Sequence, residues 1–424
     1  MRTAKSLTTL TAAGALCGLV AAGAALAFRW LVEEGQRLFL PGAQVGNYEA
    51  LPWWAVLALP TVGGVVLGLA MQRLPVTWRQ VGIVHVVVQL HHTERPRFPL
   101  PNAVVQFVAG AGALICGQSV DREGPSVHLG AALGNWIGRW VFRGPGVYAL
   151  TACGAAAAIA AAFNTPLAGV LFVVEVLRID YRLDRFMPVI TAAVVGALLG
   201  RLWFGNAALL SLPAMAPTSV LQVPGLVILG AVIGLLAVAF VSLTKRVAAA
   251  TSAWRPDVSL PIAGLTTGVI GLVVPQVLGV SYDTLATILA EGLATDILLG
   301  VLLGKLVATA VSIALRVPGG LIGPSLIIGG AAGAALGSLG PEWLGLAPAA
   351  AGFYATIGMV AMLSAVLQAP MSSLLALLEL TGEPAIILPG MLTIVVADLI
   401  SRRLLGRGSL FEYLRKLGRP GGIG

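Results

Sequence analysis

Short apolar runs that open on Gly-Pro or Pro constrain this chain more than any other feature of its sequence. Fourteen apolar segments lie near residues 8–28, 53–72, 104–117, 126–142, 149–162, 165–177, 187–204, 219–243, 259–279, 297–315, 320–338, 352–368, 370–380 and 385–400. A full membrane crossing needs about 20 residues, and several of these runs fall short of that. They are bounded by Gly124-Pro125, Pro166, Gly323-Pro324 and Pro370. Membrane proteins use interrupted helices of this kind where irregular backbone lines an ion site. Composition agrees: 58% of residues are hydrophobic and 10% charged, against about 25% charged in soluble domains. The expected fold is an all-α integral membrane protein, a single transmembrane domain over residues 1–424, with little room for a soluble domain.

The net charge of +8 first suggests nucleic acid, but the basic residues do not form an aromatic-studded stripe. They sit at the ends of apolar runs: Arg2 and Lys5; Arg178, Arg182 and Arg185; Arg402, Arg403 and Arg407; Arg415 and Lys416. That pattern follows the positive-inside rule with both termini cytoplasmic, so the excess charge needs the lipid bilayer and no nucleic-acid partner. Cys17, Cys116 and Cys153 are isolated in apolar runs and read as small buried hydrophobes. The start imitates a signal peptide, with Arg2 and Lys5 before an apolar run ending Ala25-Leu26-Ala27. The run from Leu10 to Phe28 is longer than an ordinary signal core, which predicts a retained first helix.

The chain repeats itself. "EGPSVHLGAALG" at 123–134 resembles "IGPSLIIGGAAG", whose Gly-Pro-Ser occupies 323–325. Each is followed by a Pro-led apolar segment ending in Glu: Pro166 to Glu175, then Pro370 to Glu379. Both Pro and Glu recur 204 positions later, from 166 to 370 and from 175 to 379. Two related halves are therefore expected, 1–205 and 222–424. Broken helices at matching places in two halves indicate a transporter-type fold with its site at the repeat interface. Spacing alone leaves open whether the repeats are inverted or parallel.

Proline in the first turn of a helix sacrifices no hydrogen bond, and glycine before it lets backbone approach a ligand. The free N–H groups and the positive helix end make an anion site, about half an elementary charge per helix. Gly124-Pro125 and the run Gly320 to Pro324 supply one such end from each half. Together they suit a dehydrated anion held loosely enough to be released. Glu123, beside the first of these ends, is placed to act as a tethered competitor for the ion. The plainer alternative is a helix-capping Glu or one paired with Arg122.

In this order, the motifs resemble the CLC family of chloride channels and chloride/proton antiporters. The family's "GREGP" stretch stands here as "DREGP", Asp121 to Pro125. Its "FNAPLAGxLFxxE" stretch stands as Phe163 to Glu175, and its "GGIFAP" stretch as "GGLIGP", Gly319 to Pro324. The resemblance implies two inverted repeats of tilted, broken helices and a homodimer with one pore per subunit. It also implies a gating glutamate at Glu123 and backbone amides around Gly124, Leu321 and Ile322 that hold chloride or another small anion. With few residues after Phe411, the likeness is to the bacterial type without cytoplasmic nucleotide-binding domains.

The departures are informative. The family's "GSGIP" stretch aligns with "QVGIV", Gln80 to Val84, so the anion-binding serine becomes Val81, beside Gly82. The C-terminal tyrosine that donates its hydroxyl aligns with Phe411; Tyr413 replaces it only if the register slips. Each lost donor to a charged group removes about 1.5–3 kcal/mol, so chloride should be held more weakly. The family's fluoride-selective branch also departs at the serine. The inner proton-relay position, a second glutamate in many antiporters, is Val176 here, as in channel members. Glu175 itself should pack or pair near a helix end.

The expected function is chloride transport through a voltage-gated-channel-like pore in the cell membrane (the inner membrane in a Gram-negative cell). A chloride/proton antiporter, with protons as a second partner, or a fluoride-selective variant is the alternative. Metal and enzyme readings find little support. His85, His91, His92 and His128 show no zinc-like spacing, and His128, one turn beyond Glu123, reads as helix packing. Nothing pairs Glu175 or Glu379 with a nucleophile or base, so neither a cofactor nor catalysis is expected.

Overall fold

The computed structural model describes residues 2–80, 82–92, 96–142, 145–179, 183–205, 222–290, 292–343, 350–406 and 410–417. Its described residues form α-helices joined by short turns and three-residue 3-10 segments. In chain order these are α1 (Arg2–Phe39), α2 (Trp53–Gln72), α3 (Gly82–His92), α4 (Leu100–Ile115), α5 (Glu123–Val141), α6 (Pro145–Phe163), α7 (Pro166–Glu175) and α8 (Leu183–Phe204). Then follow α9 (Val223–Ala250), α10 (Pro256–Gly271), α11 (Tyr282–Ala290), α12 (Thr295–Ala314), α13 (Ile322–Trp343), α14 (Ala350–Leu367), α15 (Pro370–Thr381), α16 (Ile387–Leu405) and α17 (Leu410–Leu417). Eight of the described helices are long and apolar enough to cross a membrane, while α3, α4, α7, α14 and α15 contribute shorter apolar pieces.

Proline sets many of the starts. It stands in the first two positions of α4, α7, α9, α10 and α15, where its missing N–H removes no helical bond. The helix α1 is longer than the sequence suggests. It continues past Phe28 through the ion pairs Arg29–Glu33 and Arg37–Glu34 and packs on α4, α5, α6 and α8.

Each neighbour relation among α1–α8 has a counterpart eight helices on. α5 packs on α6 as α13 does on α14; α1 on α6 as α9 on α14; α6 on α8 as α14 on α16; α7 on α8 as α15 on α16. Glycine permits the closest of these approaches. A Cβ on Gly130 would lie 2.3 Å from the Gly154 carbonyl oxygen, and one on Gly329 would lie 2.2 Å from that of Gly358. Related helices also meet across the molecule, α2 with α10, α7 with α15 and α5 with α13.

The α7/α15 crossing shows the direction of the relation. Glu175, the last residue of α7, accepts hydrogen bonds from the Met371 and Ser372 N–H groups at the start of α15 (3.0 and 2.7 Å). Glu379, near the end of α15, accepts from Leu167 and Ala168 at the start of α7 (both 2.9 Å). Each helix ends where the other begins, so the related helices run antiparallel and the repeats are inverted.

Candidate functional site

The starts of α5 and α13 are brought together by backbone pairing. The Asp121 N–H donates to the Gly320 carbonyl (3.1 Å) and the Gly320 N–H to the Asp121 carbonyl (3.2 Å), an isolated antiparallel bridge between residues far apart in the chain. The approach demands glycine. A Cβ on Gly124 would fall 2.7 Å from Gly320 Cα, and one on Gly320 would fall 2.1 Å from Asp121 Oδ1. Glu123, Gly124, Leu321 and Ile322 therefore lie in one buried cluster, with two positive helix ends converging on it.

One carboxylate serves both ends. The Gly124 N–H donates to Asp121 Oδ1 and the Gly323 N–H to Asp121 Oδ2, each at 2.9 Å. Asp121 is fully buried. Its carboxyl group is thus held by amides from both halves.

Glu123 is fully buried as well. Neither of its carboxylate oxygens has a hydrogen-bond partner. Its nearest support is the Arg122 guanidinium, with Nε 3.4 Å from Oε1. Arg122 is turned mainly to Glu33 of α1, Nη1 to Oε1 at 3.0 Å, and Glu33 also receives Arg29. The capping alternative for Glu123 is absent, because Asp121 caps α5 instead. The pairing with Arg122 is present but long.

Two further groups complete the cluster. The Tyr282 ring, at the start of α11, lies 5.2 Å from the Arg122 guanidinium carbon. Its buried hydroxyl faces the Glu123 carboxylate without meeting hydrogen-bond geometry and lies 3.0 Å from where a Gly323 Cβ would be. Lys305 of α12 is fully buried. Its ammonium donates to the Val277 and Gly279 carbonyls and to Ser281 Oγ, at 3.0, 2.7 and 2.8 Å. On the other side, an apolar cleft reaches Ile322 between Phe163, Phe172, Leu326, Leu363 and Leu380.

The remaining sequence candidates are placed differently. Val81 lies outside the described residues. Gly82 adopts φ 76° at the start of α3, near the Gly319 carbonyl, but its N–H donates to Gln106 Oε1 (2.5 Å). Phe411 is buried in α17, which packs on α3 and α9. Tyr413 does not replace it: its ring faces Lys245 Nζ at 5.1 Å. Val176 is buried one residue beyond α7, its N–H donating to the Phe172 carbonyl. His128 bonds Asn102 Oδ1 (2.8 Å) and packs on the rings of His85 and Phe98, as a helix-packing histidine should.

Sequence reasoning passed over Asp121, Tyr282 and Lys305. The signal for Asp121 was present, since it is the first residue of "DREGP" where the resembling stretch has glycine. Lys305 was visible as the lone charge inside the 297–315 segment. Tyr282 carried no local signal.

Inverted repeats, broken helices and two helix ends joined around a buried carboxylate define a membrane transporter for anions. A family model for voltage gated chloride channels matches residues 63–402. The chain belongs to that family, the CLC proteins, and is an anion transporter of it. It is 30% identical to a ClcB-like chloride channel protein of Ralstonia nicotianae, over 97% of each chain. It is 28% identical to the H(+)/Cl(-) exchange transporter ClcA of Salmonella paratyphi B, over 93% of this chain and 85% of the other. A solved CLC-type fluoride/proton antiporter superposes with a TM-score of 0.80 at 20% identity, covering 96% of this chain and 98% of that one.

Proposed function

We propose that the chain conducts chloride passively across a cell membrane, with Glu123 as the gate. The carrying observation is the convergence of the Gly124 and Gly323 amides, one from each half, on a single carboxylate. A place that stabilises a carboxylate with backbone amides and two helix ends also stabilises a halide. With valine at 81 and phenylalanine at 411, the site rests on Gly124, Leu321, Ile322 and the helix dipoles, which favours loose binding and fast release. Val176 leaves the inner relay position without a carboxylate, which speaks for conduction without proton coupling. The working unit in this reading is a homodimer with one pathway per subunit, and the repeat halves are residues 1–205 and 222–424.

Proton-coupled exchange is the second reading. It is favoured by Glu123 itself, a buried carboxylate whose oxygens accept no hydrogen bond, and by the kinship with an H(+)/Cl(-) exchanger. Flux from proteoliposomes separates the two. Chloride efflux without stoichiometric proton movement, and a several-fold change in rate in Glu123→Gln, support conduction. Uphill proton pumping driven by a chloride gradient overturns it.

A further inference from the structure

We infer that Asp121 is a second tethered anion in the transport path, which occupies the helix ends in place of the ion and must leave them before an ion can bind there. The inference rests on the anion-transport reading of the same site.

The stretch from Asp121 to Glu123 carries two carboxylates, and the junction offers one set of converging helix ends. Asp121 has taken it, with both oxygens on amides at 2.9 Å. Glu123 is left with two buried, unpartnered oxygens, an expensive state for a carboxylate in an apolar interior. The Tyr282 hydroxyl, also without a hydrogen bond of good geometry, faces Glu123 and the start of α13. A fixed Asp121 cap leaves Glu123 only this hydroxyl and the long contact to Arg122. An Asp121 that swings away releases two amides to Glu123 or to a transported anion and leaves its backbone bridge to Gly320 intact.

The charges around Asp121 suit an exchange of occupants. Arg122 and Glu123 flank it on its own segment, and Arg122 is tied to Glu33 and Arg29 of α1. Tyr282 faces the cluster from α11, with Asp283 next to it in the chain. Lys305 of α12 is bonded to neutral oxygens, one of them Ser281 Oγ beside Tyr282. Displacing Asp121 from the two amides empties them for a halide.

Chloride binding to the purified full-length protein by calorimetry, with flux in proteoliposomes, tests this. Asp121→Gly and Asp121→Asn are each expected to tighten chloride binding about tenfold or more, the worth of two charge-assisted amide contacts returned to the ion, and to change the flux rate. Binding and flux within twofold of the parent, with only a lower melting temperature, would make Asp121 a structural cap and overturn the inference. Should neither variant fold, the pH dependence of chloride binding to Glu123→Gln decides. Affinity that rises as pH falls through the carboxyl range supports a second titrating competitor, and a flat profile overturns it. Absence of any anion flux in the parent protein is a different failure, that of the transport reading itself.

Discussion

The molecule solves the same backbone problem twice, at the α7/α15 crossing and at the α5/α13 junction, with opposite results. Both places bring helix N-termini, with their unpaired N–H groups, into an apolar interior. At α7/α15 there are two ends and two glutamates, and each carboxylate bonds two amides of the opposite helix. Both glutamates there are paired and the two-fold relation is kept. At α5/α13 a single Asp121 serves both ends, and Glu123 receives no backbone amide, only a long contact from Arg122. The repeat counterpart of Glu123 is Ile322. Symmetry is kept where the helices are fastened and lost at the proposed ion site.

The contrast can be broken most severely at Gly320. Gly320→Ala places a Cβ 2.1 Å from Asp121 Oδ1 and 2.8 Å from the Gly124 nitrogen. Overpacking of this kind costs about 1–3 kcal/mol. Chloride flux should fall more than tenfold, measured beside the melting temperature in detergent. Retained flux at normal stability would mean that the tight junction is not part of the path.

The fastened crossing should respond in stability and not in rate. Glu175→Ala and Glu379→Ala each remove a carboxylate from two helix-terminal amides, a loss of about 1–2 kcal/mol. The two should be nearly equal, because the contacts they break are reciprocal. Flux from the surviving folded protein should stay within twofold, whereas Glu123→Gln changes flux with little loss of stability. A large rate effect in either cap variant would erase the division between the two regions.

The smallest effect belongs to Tyr282→Phe. Its hydroxyl is buried without a partner, and removing an unsatisfied polar group is neutral or stabilising by up to about 1 kcal/mol. A clear loss of stability in thermal melts would show that the hydroxyl is bonded, and the vacancy around Glu123 would then need redrawing.

Much of this arrangement was legible in the sequence. Pro166 and Pro370 mark the first residues of α7 and α15, and Gly124-Pro125 and Gly323-Pro324 lie within the first turn of α5 and α13. Proline fixes helix starts by its own covalent geometry, so these boundaries survive any tertiary context. Glu123 announced itself as a charge in an apolar setting. The helices α3, α11 and α17 were not evident, being 11, 9 and 8 residues long, too short for an apolar run to stand out. The apolar stretch 259–279 likewise ran past the true end of α10 at Gly271. Asp121 stood out as a departure from the resembling stretch, but its role did not. Its decisive partner, Gly323, lies 202 positions away, and only folding brings the two together. The same holds for Glu175 and Glu379: their recurrence was readable, and the exchange of caps between helices was not.

That exchange of caps bears on how the protein is made. The carboxylate that α7 requires is supplied by a residue more than 200 positions downstream, at Glu379. Until α15 has been synthesised, the opening amides of α7 lack the partner they have in the folded molecule. The reciprocal pairing of these two helices therefore needs both halves of the chain, and neither half can complete it alone.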